Sequence, residues 1–238
     1  MRVMLLLIVC CLFLNCEDKK SNTKNKVETS KVIVDSVVDT NKLTDADSDS
    51  LTRPFPRLNS KNVMEFFLEY DKKHKENKVR ITTDFGTIDI LLFNETKFHR
   101  SNFIFLTKQK YFNGTQFYRV INNFMVQAGS GDDKVTAKKR GYIGKYLLPP
   151  DTKRGFKHDR GVVSMPSSDI DNPHKLASPY EFFIVQQRGG AHFLDGDYTI
   201  FGRVTSGMDV VDKIAAVKTD DADWPLQNIY IRNVEILE

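Results

Sequence analysis

An arginine and a glutamine stand among aromatic and apolar residues in FYRVINNFMVQAGS, residues 117–130. The stretch reads as two strands around an Asn122-Asn123 turn, yet these core-like strands carry Arg119 and Gln127. A core excludes a guanidinium unless something pairs with it, so this face is either solvated or a binding surface. Large apolar side chains with polar groups among them recur in two later segments, at Phe182 and Phe183 and then at Phe193, Leu194 and Tyr198. Together with Arg119, Phe124, Met125 and Gln127 they could form an apolar site with a few polar groups. No G-x-S-x-G, Walker loop or G-x-G-x-x-G is present, so the usual nucleophile and phosphate-cradle signatures do not apply.

Other chemistries are narrowed by what the chain lacks. Its three cysteines, Cys10, Cys11 and Cys16, all precede residue 17, which leaves the remainder without thiolate or disulfide. The five histidines show no metal-ligand spacing, and neither metal nor cofactor is expected. With 35 basic and 31 acidic residues and no dense basic stripe, nucleic acid is not an expected partner. A composition 40% hydrophobic and 28% charged suits an ordinary soluble core.

The elements that must position these residues can be read along the chain. In 1–16, one arginine precedes an apolar run that ends at Asn15-Cys16, followed by EDKK. This arrangement resembles a bacterial lipoprotein signal with Cys16 as the lipidated residue, the alternative being a plain signal peptide or uncleaved anchor. Residues 17–60 are polar and read as a disordered tether, with strand-prone KVIVDSVVD inside it. Residues 61–77 predict an amphipathic helix, with Asn62 and Glu65 at capping-box spacing and Val63, Phe66, Phe67 and Tyr70 on one face. From 78 to 238 the pattern is short strands with two helices, around HRSNFIFLTKQKYF and SGMDVVDKIAAV, ending in a long strand through WPLQNIYIRNVEIL. Many strands with two helices predict a mainly β domain, a closed or nearly closed antiparallel barrel. The basic stretch 131–161 reads as solvated loop.

FNGTQFYRVINNFMVQAG, GVVSM, EFFIV and FLDGDYTIFGRV resemble, in order and separation, the signature blocks of the cyclophilin family of peptidyl-prolyl isomerases. The resemblance implies an eight-stranded antiparallel barrel closed by two helices, with the substrate groove on its outside. It implies that Arg119 is the catalytic arginine, that Phe124, Met125, Phe183 and Leu194 form the proline pocket, and that Gln127 helps hold the arginine and contacts substrate. Phe193 stands where some members have tryptophan and others a different ring, and Tyr198 stands where many have histidine. Rotation about an X-Pro bond meets a barrier of roughly 18–20 kcal/mol. An apolar pocket that excludes water, with a guanidinium bonding near the twisting amide, lowers it without a covalent intermediate.

The blocks also depart from the family. Glu181 in SPYEFF replaces a glutamine that borders the groove, where its carboxylate would either hold Arg119 or compete with the substrate carbonyl for it. Pro166 and Ser167 stand where alanine and asparagine are common, and proline removes a backbone donor. A weaker or narrower isomerase is therefore expected. Two functions follow: a monomeric, envelope-anchored isomerase for proline-containing exported polypeptides, or a non-catalytic proline-peptide binding or chaperone module.

Overall fold

The computed structural model describes residues 53–168 and 171–238. The apolar N-terminal run, Cys16 and KVIVDSVVD lie outside the described residues. Apolar side chains alternate along Lys78–Thr83 (β2) and Gly86–Leu92 (β3), which pair as a hairpin with Thr83 opposite Gly86. Gln116–Ile121 (β4), Met125–Ser130 (β5), Val162–Met165 (β7), Phe182–Val185 (β8), Thr199–Ser206 (β9) and Ile231–Ile236 (β10) complete one sheet of eight strands. The order is β10-β2-β3-β9-β7-β8-β5-β4, and every neighbouring pair is antiparallel. Leu58–Asn59 (β1) and Gly144–Lys145 (β6) form a separate short parallel pair. The sheet curls, and its outer strands approach: Phe117 N–H donates to Ile229 O at 2.9 Å and Ile231 N–H to Thr115 O at 2.8 Å.

The main core lies inside this curl. Val79, Ile81, Ile88, Ile90, Phe117, Val126, Phe182, Ile184 and Phe201 are buried there, as is most of the helix Lys97–Lys108 (α2). The helix Met208–Ala215 (α4) adds Val210, Val211 and Ile214. These are the two helices expected in 78–238, and the described residues hold two more α-helices, one of them expected in 61–77. The helix Val63–Lys73 (α1) packs Val63 and Phe67 into the same core. Its capping box does not form, because Asn62 has helical backbone angles and its Oδ1 accepts from Asn59 N–H at 2.9 Å.

Three boundaries differ from the sequence expectation. Phe55 and Leu58, assigned to the tether, are buried, so the folded part begins well before residue 61. Within the expected loop 131–161, Lys134–Ile143 is a helix (α3) whose start is capped by the Asp133 carboxylate, accepting from Val135 and Thr136 N–H at 2.8 and 2.9 Å. Gly144 follows because β1 lies so close that a Cβ there would sit 2.0 Å from Leu58 O. The last strand is only six residues, and residues 220–224 before it form a loop closed by Asp220 N–H donating to Trp224 O at 2.8 Å.

Candidate active site

A bulge in β4 builds the site. Phe117 pairs with Ala128 and Arg119 with Gln127, so Tyr118 is an extra residue on β4. Phe117 and Val120 enter the main core, while Tyr118 and Arg119 are both only partly buried, beside Gln127. Gln127 in turn pairs with Phe183 on β8. Cross-strand partners share a face, so Arg119, Gln127 and Phe183 form a row on the side of the sheet away from the main core. There Met125, Val162, Phe183, Val185, Ala191 and Ile200 make a second, smaller apolar cluster, with Phe124, Leu194 and Tyr198 packed on it.

Arg119 is thus not in the core: its side chain is 43% exposed. It lines one cleft of about 200 Å³ with Phe124, Met125, Gln127, Phe183, Leu194 and Tyr198, and Pro166 and Ser167 complete the wall. That volume is well below the roughly 300–1,000 Å³ of drug-sized ligand sites and suits one small ring. Backbone bonds fix the turn that carries Phe124. Asn123 adopts φ 54°, and Phe124 O accepts from Gln186 and Gln187 N–H at 2.8 and 3.0 Å.

Three of the sequence-selected residues fall outside the cleft walls, and one of them, Phe182, is turned into the main core because its neighbour Phe183 takes the cleft face of β8. Phe193, in the turn of 3₁₀ helix His192–Leu194, is 69% exposed and stands 5.4 Å ring to ring from Phe124, extending the apolar rim. Glu181 faces a different cleft, where it accepts from Arg140 Nη2 at 3.2 Å. Arg140 can reach it because α3 stands where a loop was expected, and the same guanidinium donates from Nε to Tyr111 Oη at 2.8 Å. The partner of Arg119 is Asp223, whose Oδ2 accepts from Nε at 3.3 Å. The Gln127 amide donates to the Tyr118 hydroxyl. Burial, and then the Glu181 carboxylate nearby, hold the Tyr118 phenol far above its ordinary range, so it stays protonated.

Beneath Phe183 lies His158, with the two rings nearly parallel at 6.1 Å. His158 Nδ1 is 2.9 Å from Asp195 Oδ1 and its Nε2 is 3.2 Å from Ser164 Oγ. The Asp-His-Ser order imitates a hydrolase triad, but Ser164 is fully buried and its hydroxyl donates to Thr199 O at 2.9 Å. No substrate reaches it, so the trio is framework for the cleft floor. Burial holds His158 below the usual imidazole value. Burial also pushes the Asp195 carboxyl up, but bonds from His158 N–H, the His158 ring and Lys157 outweigh it and bring it down to about 2.

Sequence reasoning missed Tyr118, Asp223 and the His158–Asp195 floor. The bulge leaves no mark in the alternation of FYRV, and Asp223 lies just ahead of the stretch 224–237 that reads as a strand. Only the doubled acidic run in KTDDADWP hinted at a loop there.

The family model described as "Cyclophilin type peptidyl-prolyl cis-trans isomerase/CLD" matches residues 78–236. A peptidyl-prolyl cis-trans isomerase-like 2 protein of Rhizopus delemar is 37% identical over 169 residues, covering 70% of this chain but 30% of that protein. A peptidyl-prolyl cis-trans isomerase-like 1 protein of Aspergillus fumigatus is 36% identical, covering 66% of this chain and 92% of that one. A cyclophilin-type isomerase of Cryptosporidium parvum, crystallised in the presence of the dipeptide Ala-Pro, superposes with a TM-score of 0.57 at 27% identity, covering 68% of this chain and 99% of that one. With blocks, fold and cleft in agreement over the same two-thirds of its length, the chain belongs to the cyclophilin-type peptidyl-prolyl cis-trans isomerases.

Proposed function

We propose that the chain isomerises X-Pro bonds in extended polypeptides at the cleft beside Arg119, with the apolar walls gripping the proline ring and the guanidinium acting on the amide. The observation that carries this is the bulged β4–β5 pairing, which brings a half-exposed arginine to the edge of a proline-sized apolar cleft. Phe124, Met125, Phe183, Leu194 and Tyr198 exclude water, which would otherwise favour the planar, polar amide. An Nη hydrogen of Arg119 bonds near the amide nitrogen as it gains a lone pair, an interaction present only in the twisted state. A gain on the order of 10⁵ in rate needs about 7 kcal/mol from these terms together. The bonds joining 115–117 to 229–231 close the sheet into a barrel in this reading and give the cleft a stiff wall.

The signal-like run with Cys16 and the polar segment after it support an envelope-anchored monomer working on exported chains. Metabolic labelling with palmitate checks the anchor, with label expected on the parent and absent from Cys16→Ser.

Exchange NMR on an Ala-Pro-Phe peptide tests the activity, using the full chain and its Arg119→Ala variant. Accelerated cis–trans exchange, reduced by about 100-fold in the variant, is expected from the loss of one electrostatic donor. Line broadening without faster exchange in either form would instead make the protein a proline-peptide binding module.

A further inference from the structure

We propose that Asp223 is a positioning residue that aims Arg119 at the cleft. This role rests on the reading of Arg119 as the catalytic donor. A 43% exposed arginine is not fixed by packing, and an ion pair on a mobile partner would not fix it either. Asp223 is not a mobile partner. Its carbonyl accepts from Val120 N–H, the residue after Arg119, at 2.8 Å, and its own N–H donates to Asp220 O at 3.1 Å. Asp220 Oδ1 accepts from Ala222 and Trp224 N–H at 2.9 Å each. The Trp224 ring rests 5.9 Å from that of Tyr118, the bulge residue. The loop is therefore clamped to the same bulge that turns Arg119 outward.

The atom that Asp223 takes matters as much as its charge. A guanidinium has five N–H donors, and this pair uses the single one on Nε. The four Nη hydrogens stay available to a substrate, whereas a carboxylate on the Nη edge would occupy them. Asp223 also adopts φ 63°, a left-handed conformation that Asp and Asn tolerate better than other side chains with a Cβ. Asp223→Asn therefore removes the charge while keeping the loop. Asp223→Gly, which favours the same backbone, serves as a second variant should the first disturb residues 219–225.

The test is a double-mutant cycle in the full chain, reading peptide exchange in the parent, Asp223→Asn, Arg119→Ala and the double variant. Losing the fixed rotamer is expected to lower kcat by about five- to tenfold with KM within about twofold, and to cause no further loss on the Arg119→Ala background. The Arg119 Nε–H resonance, protected in the parent, is expected to exchange faster in Asp223→Asn. Turnover unchanged in Asp223→Asn while Arg119→Ala is inactive overturns the positioning role alone. Equal losses from Asp223→Asn on both backgrounds also overturn it, because the loop would then act independently of the arginine. An Arg119→Ala chain that isomerises normally removes the catalytic reading, and the positioning role with it.

Discussion

Arg100 and Arg119 have partners that give them opposite work. Arg100 is 2% exposed and its charge is consumed by its surroundings: it pairs with Asp71 and donates from Nη1 to Asn94 Oδ1 at 2.6 Å. Arg119 spends only Nε and keeps its other donors beside the cleft. Glu181 belongs with the first kind. Its pair with Arg140 is 33% and 21% exposed on the two sides, a class of contact that contributes about 0.2–1 kcal/mol. Glu181→Gln keeps an oxygen for Arg140 and removes the charge. The expected result is an unfolding free energy lower by an amount in that range, with peptide exchange within about twofold of the parent. Urea unfolding and exchange NMR on the same samples check it. A tenfold change in turnover at unchanged stability would return Glu181 to the substrate groove.

At the scale of elements, α2 is buried on every side and carries His99 with it. Neither ring nitrogen of His99 has a hydrogen-bond partner, and burial pulls its pKa from 6.5 to about 4. The folded value lies below the unfolded one, so the neutral ring leaves stability whole above pH 6.5, and stability is lost as pH falls from 6.5 towards 4. At about 1.36 kcal/mol per unit, moving from pH 7 to pH 5 costs about 2 kcal/mol from this group. His158, also held below its ordinary value, adds in the same direction. Urea unfolding at the two pH values should show that loss in the parent and a smaller one in His99→Leu, and equal slopes would count against the assignment. Elements differ in how far the sequence reveals them. Strands β2 and β3 announce themselves by alternation, and α4 by Val210, Val211 and Ile214 on one face. Helix α3 does not, because Lys134–Ile143 buries only Thr136 and Ile143 and so lacks an apolar stripe. Its one local sign is Asp133 ahead of the helix. The cleft was legible as a set of residue types in three segments. The partners of Arg119 and Glu181 were not, since each comes from a distant segment through a bulge or a helix that leaves no periodic signal.

For the whole molecule, the family match begins at residue 78, but the packing does not. Phe105 in α2 meets Phe55, Phe66, Phe67 and Tyr70 with ring centroids 4.9–5.9 Å away. The buried charge of Arg100 is matched by Asp71 in α1. A chain starting at Lys78 would uncover those rings and leave a guanidinium in the core without its carboxylate. Breaking a buried pair from one side costs about 3–5 kcal/mol, a large share of an ordinary domain's stability. The 78–238 fragment is therefore expected to unfold at clearly lower urea concentration than the full chain, or to fail to fold. Arg100→Met within the fragment separates the two causes. If the stranded charge dominates, the substitution recovers a large part of the loss, since a buried ion group replaced by an apolar side chain of similar length is often neutral or better. If it recovers nothing, the lost apolar cover of α1 and Phe55 carries the effect. Fragment and full chain unfolding at the same midpoint would show α1 to be an appendage, and would make the matched region a domain complete in itself.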